Sequence, residues 1–223
     1  MRRNIFDFEF GIIDVDGTLI DSMPIHGEVF ATILNEKTGI PKEAAEKFYR
    51  ETAGLIIQKQ FEQILDIYQK WADVSEMVRL FFEEMSKREF KIFPGVKRFL
   101  AELHKKRVKL FATSGSKLED LDKKLRDNGL LSYFKLIMGS DRIPKGVEHI
   151  EIFAETCNLP LEEFARRAFY LGDGPTDMKI AKRCGIYAYG IQNTVDAKTL
   201  IKAGADEIIE TLELEIKKGK GAD

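Results

Sequence analysis

Apolar positions change rhythm twice along the chain. The run from Phe8 to Ile13 has the length and character of a buried strand. From Pro24 to about Phe90 the spacing turns helical, and helices are predicted over 25–37, 42–51, 55–70 and 75–88, punctuated by Gly39–Pro41 and by Ala53–Gly54. Phe61, Ile64, Leu65 and Tyr68 recur at helical spacing and predict one buried face. Phe93-Pro94-Gly95 ends this stretch. Beyond it strands and helices alternate: strands over 108–112, 135–138, 168–171 and 186–190, and helices over 116–128, 147–157, 177–184 and 197–203. Ser116 and Glu119 have capping-box spacing for the first of these helices, and Gly129 closes it. Residues 207–209 predict a last edge strand, and the polar tail KKGKGAD is expected to fray.

Such alternation predicts an α/β fold, a Rossmann-like parallel sheet with helices on both faces. The helical stretch interrupts it after the first strand. The predicted division is a core of residues 1–21 and 94–223 and an inserted α-helical cap domain of residues 22–93. Ligands of open parallel sheets bind beyond the carboxyl ends of the strands.

Composition narrows the setting. A net charge of −2 gives no reason to expect nucleic acid or a membrane surface as partner. Cys157 and Cys184 sit in no paired-cysteine metal motif and read as reduced thiols. No apolar leader precedes the first strand, and no run reaches membrane-spanning length, so a cytoplasmic location is expected.

Four predicted strand ends carry chemistry. The first, GIIDVDGT, sets Asp14 and Asp16 one residue apart. Two carboxylates so close repel unless a positive charge lies between them, and a hard cation such as Mg²⁺ would resolve this. The alternative is a solvated loop with two aspartates. Gly17 allows a tight turn whose N–H would face a phosphate. The second end, FATSGS, offers hydroxyls and N–H groups to an anion, or simple helix capping by Ser116. The third, DRIPKGVEH, holds Lys145, either a point charge for a phosphate or a surface lysine. The fourth, YLGDGPTD, holds Asp173 and Asp177, which would complete a cation site with Asp14 or form a turn and a helix cap.

These residues, in this order, resemble the haloacid dehalogenase superfamily in its phosphatase and phosphomutase branch, similar to phosphoglycolate phosphatases and β-phosphoglucomutases. Asp14-Val15-Asp16-Gly17-Thr18, Ser114 and Gly172–Asp177 match its first, second and fourth motifs. The resemblance implies Mg²⁺-dependent hydrolysis of a small phosphorylated metabolite. Asp14 would be the nucleophile and Asp16 the acid and base. Asp14, Asp16 (through its carbonyl), Asp173 and Asp177 would serve the metal. Ser114 would hold a phosphoryl oxygen, with Gly17, Thr18, Thr113 and Gly115 beside it. The third motif departs from the pattern: Val147 stands at the usual lysine position, and Lys145 is the nearest replacement, ahead of Arg142. From the cap, Arg50, Thr52 and Gln58 are candidates to face the substrate. His26 and His149 could lie near the site, though surface or boundary positions are favoured for each. A sugar-phosphate mutase of the same family, a phospho-accepting receiver module and a phosphate-binding protein without turnover are the alternatives.

Overall fold

Short apolar runs form six parallel strands, β1 (Phe10–Asp14), β2 (Lys109–Thr113), β3 (Phe134–Met138), β4 (Ala168–Gly172), β5 (Tyr187–Ile191) and β6 (Glu207–Ile209). They lie in the order β3-β2-β1-β4-β5-β6. The structure, a computed structural model, describes residues 3–52 and 55–220. Parallel neighbours cannot be joined by tight turns, so helices carry the crossovers. These crossovers put helices on both faces, which is why β4 and β1, up to its final Asp14, are made of apolar and aromatic residues and glycine, and both are buried throughout.

Between β1 and the crossover helices lie α1 (Met23–Thr38), α2 (Lys42–Glu51), α3 (Ile57–Ile67) and α4 (Val74–Ser86). They bury a cluster of their own around Phe30, Phe61 and Phe81, with the Phe30 and Phe61 rings stacked at 4.5 Å. The remaining helices are α5 (Val96–Lys105), α6 (Leu118–Asp127), α7 (Val147–Thr156), α8 (Leu161–Arg166), α9 (Pro175–Cys184), α10 (Ala197–Ala203) and α11 (Leu212–Lys220).

Strand side chains alternate between faces. Ile13, Leu110, Ala112 and Leu171 share one cluster with Phe99 of α5, Leu121 and Leu125 of α6, and Ile216 of α11. Phe10, Ile12, Phe111 and Tyr170 share the other with Phe153, Phe164 and Met178 of α7, α8 and α9. A side chain at Gly11 would meet the Phe169 ring at 2.5 Å, so the strand carries glycine where that ring crosses it.

Register sets Asp14 opposite Thr113, Thr113 opposite Met138, and Gly172 opposite Gly190. The carboxyl ends are therefore level, and β1 sits where the strand order reverses, the place where loops part to leave a crevice.

Several local expectations are corrected. Tyr68 is 41% exposed because α3 ends at Ile67 and takes Tyr68 off its buried stripe. The Ser116–Glu119 capping box does not form. The helix begins at Leu118, whose N–H donates to Asp141 Oδ1 at 2.8 Å, while Ser116 turns to Asp16. Part of the tail is helical: α11 runs to Lys220, held by Leu212 and Ile216 in the core. The break at Ala53–Gly54 and the last residues, 221–223, lie outside the described residues. Among the described residues no helix is long and apolar enough to cross a membrane.

Candidate active site

Asp14 is the last residue of β1 and is buried. The chain turns sharply after it. Gly17 has φ +83°, and a side chain there would stand 2.1 Å from Asp173 Oδ2. The turn brings the Thr18 hydroxyl between two carboxylates, 3.1 Å from Asp14 Oδ2 and 3.0 Å from Asp173 Oδ1. Asn193 Nδ2 donates to the Gly17 carbonyl, and the Thr194 hydroxyl donates to Asp173 Oδ2.

Lys145 comes from the loop between β3 and α7. Its ammonium lies 2.5 Å from Asp14 Oδ1 and 2.6 Å from Asp177 Oδ1, with the side chain only 2% exposed. Val147, two residues on, is the first residue of α7 and packs against the apolar cluster on that face. Arg142 is exposed. Asp177 also accepts from Tyr170 OH and from the Gly174 N–H.

Among the described residues, Asp14, Asp173 and Asp177 bring carboxylate oxygens within 4.8 Å of one another. Burial and the mutual repulsion of these groups push Asp14 well above the usual carboxylate range, against the opposing pull of Lys145. Burial and Asp177 push Asp173 up to about 6. An all-oxygen, crowded, acidic donor set suits a hard cation, so these residues fit Mg²⁺. The Asp16 carboxylate does not join them.

Asp16 instead faces the other way. Its Oδ1 accepts from Ser22 Oγ at 2.8 Å and Lys124 Nζ at 2.6 Å, and its Oδ2 from Ser114 and Ser116 Oγ, both at 2.8 Å. Burial pushes its pKa up, but Lys124 and these hydrogen bonds outweigh that and hold the carboxyl far below its usual range. Each aspartate of the DVD pair thus has its own lysine. Lys124 was not among the residues singled out from the sequence. The signal for it was present: it falls three residues after buried Leu121 and next to buried Leu125, on the apolar stripe of α6.

The helices α1–α4 cover the site with residues other than those expected. A cavity of about 50 Å³ at Asp14 and Lys145 is walled by His26, Tyr49, Leu55, Gln60 and Phe82 among others. It adjoins a groove of about 490 Å³ between α4 and α6, which shares His26, Phe81, Phe82 and Ser116 with it. Arg50 is exposed and lines a separate cavity with Asp21 and Glu46. The Gln58 amide bonds Glu62 on the outer face of α3, and Thr52 Oγ1 is turned to the Phe48 carbonyl. Helix phase explains the exchange: Tyr49 and Gln60 face inward where their neighbours Arg50 and Gln58 do not.

Both histidines are buried rather than at the surface, and His26 lines the cavity. His26 Nδ1 pairs with Tyr49 OH at 3.2 Å, and its Nε2 lies 3.4 Å from Lys124 Nζ. Burial and the Lys124 charge push the ring down to about 3. Thr113 Oγ1 pairs with His149 at 2.7 Å and so is turned from the cavity. Gly115 lines that cavity, whereas Ser114 is fully buried behind Asp16.

Lys124→Met would leave Asp16 largely buried without its cation. It is expected to lower the unfolding free energy at pH 7 by about 3 kcal/mol, measured by urea denaturation. Because Lys124 depresses the folded-state pKa, the stabilisation is present above the unfolded value near about 4 and is lost below it. Equal stability of the two proteins at pH 7 would show that the pair contributes nothing.

A family model described as haloacid dehalogenase-like hydrolase matches residues 12–191. A phosphorylated carbohydrates phosphatase of Thermotoga maritima is 29% identical over 213 residues, 91% of this chain and 94% of its own. A phosphoglycolate phosphatase of Nitrosococcus oceani is 25% identical over 225 residues, 94% of this chain and 95% of its own. A solved haloacid dehalogenase-like hydrolase from Streptococcus pneumoniae has the same fold, with a TM-score of 0.79 at 21% identity over 96% of this chain and 99% of that one.

Proposed function

Since the chain belongs to the haloacid dehalogenase-like hydrolase family, with named phosphatases among its relatives, we propose that it hydrolyses a small phosphorylated metabolite through an aspartyl-phosphate, with Mg²⁺ as cofactor. The observation that carries this reading is the buried Asp14 carboxylate at a strand end, with the Lys145 ammonium on one oxygen and Asp173 and Asp177 beside it.

In this reading Asp14 attacks phosphorus as the bond to the leaving oxygen breaks, and Asp16 gives that oxygen a proton. Water then attacks the aspartyl-phosphate while Asp16 takes its proton, which releases phosphate and restores Asp14. Asp14, Asp173 and Asp177, with the Asp16 carbonyl, would hold Mg²⁺. When bound, the ion supplies positive charge to the phosphoryl oxygens, the main need of phosphoryl transfer. Lys145 adds a second positive charge there, and Ser114 turns its hydroxyl from Asp16 to a phosphoryl oxygen. An Asp16 held ionised by Lys124 cannot donate a proton, so the acid role requires that ion pair to open as the leaving group enters from the groove. Residues 22–93 act as a cap that closes over the core and excludes water.

The test is phosphate release from a panel of phosphorylated metabolites, phosphoglycolate and sugar phosphates included, in Mg²⁺ and in EDTA. Release is expected in Mg²⁺ only and is expected to return when Mg²⁺ is restored. Release that proceeds equally fast in EDTA would end the reading. Metal and protons compete for Asp14 and Asp173, both held above the usual carboxylate range; the stability that the raised Asp173 gives the metal-free fold is lost as pH rises through about 6. The rise in Tm on adding Mg²⁺ is therefore expected to be larger at pH 7.5 than at pH 5.

A further inference from the structure

Lys145 does its work from an irregular loop, Gly139 to Gly146, two residues ahead of the helix. Three of the hydrogen-bonded ties that order that loop beside the end of β2 bear on Lys145. The Ser140 hydroxyl donates to the Ser114 carbonyl at 2.8 Å, and the Lys145 N–H donates to Ser140 Oγ at 3.0 Å. The third tie is His149, on the first turn of α7 and fully buried. Its Nε2 lies 2.9 Å from the Ile143 carbonyl, and its Nδ1 lies 2.7 Å from Thr113 Oγ1. A carbonyl can only accept, so Nε2 carries the proton and Nδ1 accepts from the threonine. Burial and the nearby Lys145 charge favour this neutral ring, against the Ile143 bond. One imidazole thus joins three things: the strand that leads into Ser114, the helix that begins at Val147, and the loop two residues before Lys145.

We propose that His149 is a positioning residue, holding the Ile143 carbonyl from the first turn of α7 so that the loop delivers Lys145 to Asp14 from outside the helix. This rests on the reading of Lys145 as a charge that serves the phosphoryl group. The ring does not touch Asp14 and acts only through the loop.

Two variants separate its bonds. In His149→Asn the amide stands near Nδ1 and keeps the Thr113 bond, but it cannot reach Ile143. In His149→Gln the amide stands near Nε2 and keeps the Ile143 bond. Two readouts apply. The first is acylation of Lys145 by succinic anhydride, read by mass spectrometry, which needs no activity. The second is kcat with an aryl phosphate in Mg²⁺. His149→Asn is expected to expose Lys145 to acylation and to lower kcat by about 10- to 100-fold with KM little changed. His149→Gln is expected to restore both. In a Lys145→Met background His149→Asn is expected to leave kcat unchanged. Thermal unfolding checks that each variant is folded. Lys145 remaining protected in His149→Asn, His149→Gln exposing it equally, or a loss of kcat that persists without Lys145 would each overturn the proposal. If the wild type releases no phosphate, the functional reading fails, while the acylation pattern still judges His149.

Discussion

Asp14→Asn is expected to lower phosphate release by at least about 10⁴-fold, equal to about 5.4 kcal/mol of transition-state stabilisation. The amide has the size of the carboxylate and can still accept from Lys145 or Thr18, so the fold has no reason to change. It is a very weak nucleophile, so no aspartyl-phosphate forms. Stability gives the control. Asp14 is pushed up by burial and by its acidic neighbours, and the asparagine removes a charge from that crowd while Lys145 keeps Asp177 at 2.6 Å. Tm in the absence of metal is therefore expected to stay level or rise. Borohydride reduction during turnover should convert an acyl-phosphate at position 14 to homoserine in the wild type, and mass spectrometry should find none in the variant. A variant that keeps a tenth of the wild-type rate would remove Asp14 from the nucleophile's role.

How far the site could be read in advance depended on what each residue's position relies on. The end of β1 was legible because an apolar run that stops at Asp14-Val15-Asp16-Gly17 leaves the chain few other places to bury Phe10 and Ile12. The helices α1–α4 were legible from period together with the breaks at Gly39–Pro41 and Ala53–Gly54; 42–51 matches α2 at both ends. What stayed hidden was side-chain direction. Whether Arg50 or Tyr49 faces the carboxylates depends on one residue of helix phase, set by where Phe30 and Phe61 stack rather than by any local signal. The same holds for Gln58 and Gln60. Ser116 looked like a cap because its neighbours fit the pattern, yet Asp16 offers its hydroxyl a charged acceptor while Asp141, remote in sequence, serves Leu118. His26 and His149 looked marginal because a lone histidine says nothing of its partners, and here those partners arrive from α2, α6, β2 and the loop before α7.

Lys145→Met is expected to separate charge from fold at this site. The substitution keeps the length of the side chain and removes its only charge, leaving Asp14, Asp173 and Asp177 within 4.8 Å of one another. For catalysis the loss is one preorganised positive group at the transferring phosphoryl, expected to reduce kcat/KM by about 10²- to 10³-fold. For stability the buried partners Asp14 and Asp177 lose their cation, an effect of about 3–5 kcal/mol if both stay ionised. They need not: Lys145 is the main influence holding Asp14 down against its burial, so without it the carboxyl rises further and takes up a proton. A folded-state pKa above the unfolded one stabilises fully at low pH and loses that contribution as pH rises. The variant is thus expected to approach wild-type stability near pH 5 and to fall furthest behind at pH 8. Mg²⁺ should reverse the order of effects. With the competing ammonium gone, the carboxylates bind the ion more tightly, and its stabilisation grows with the ratio of its concentration to Kd. The rise in Tm on adding Mg²⁺ should therefore be larger in Lys145→Met than in the wild type, although the variant turns over more slowly. Activity within about three-fold of wild type would place Lys145 outside the chemistry. A smaller response to Mg²⁺ would mean that the ammonium and the ion do not share these carboxylates.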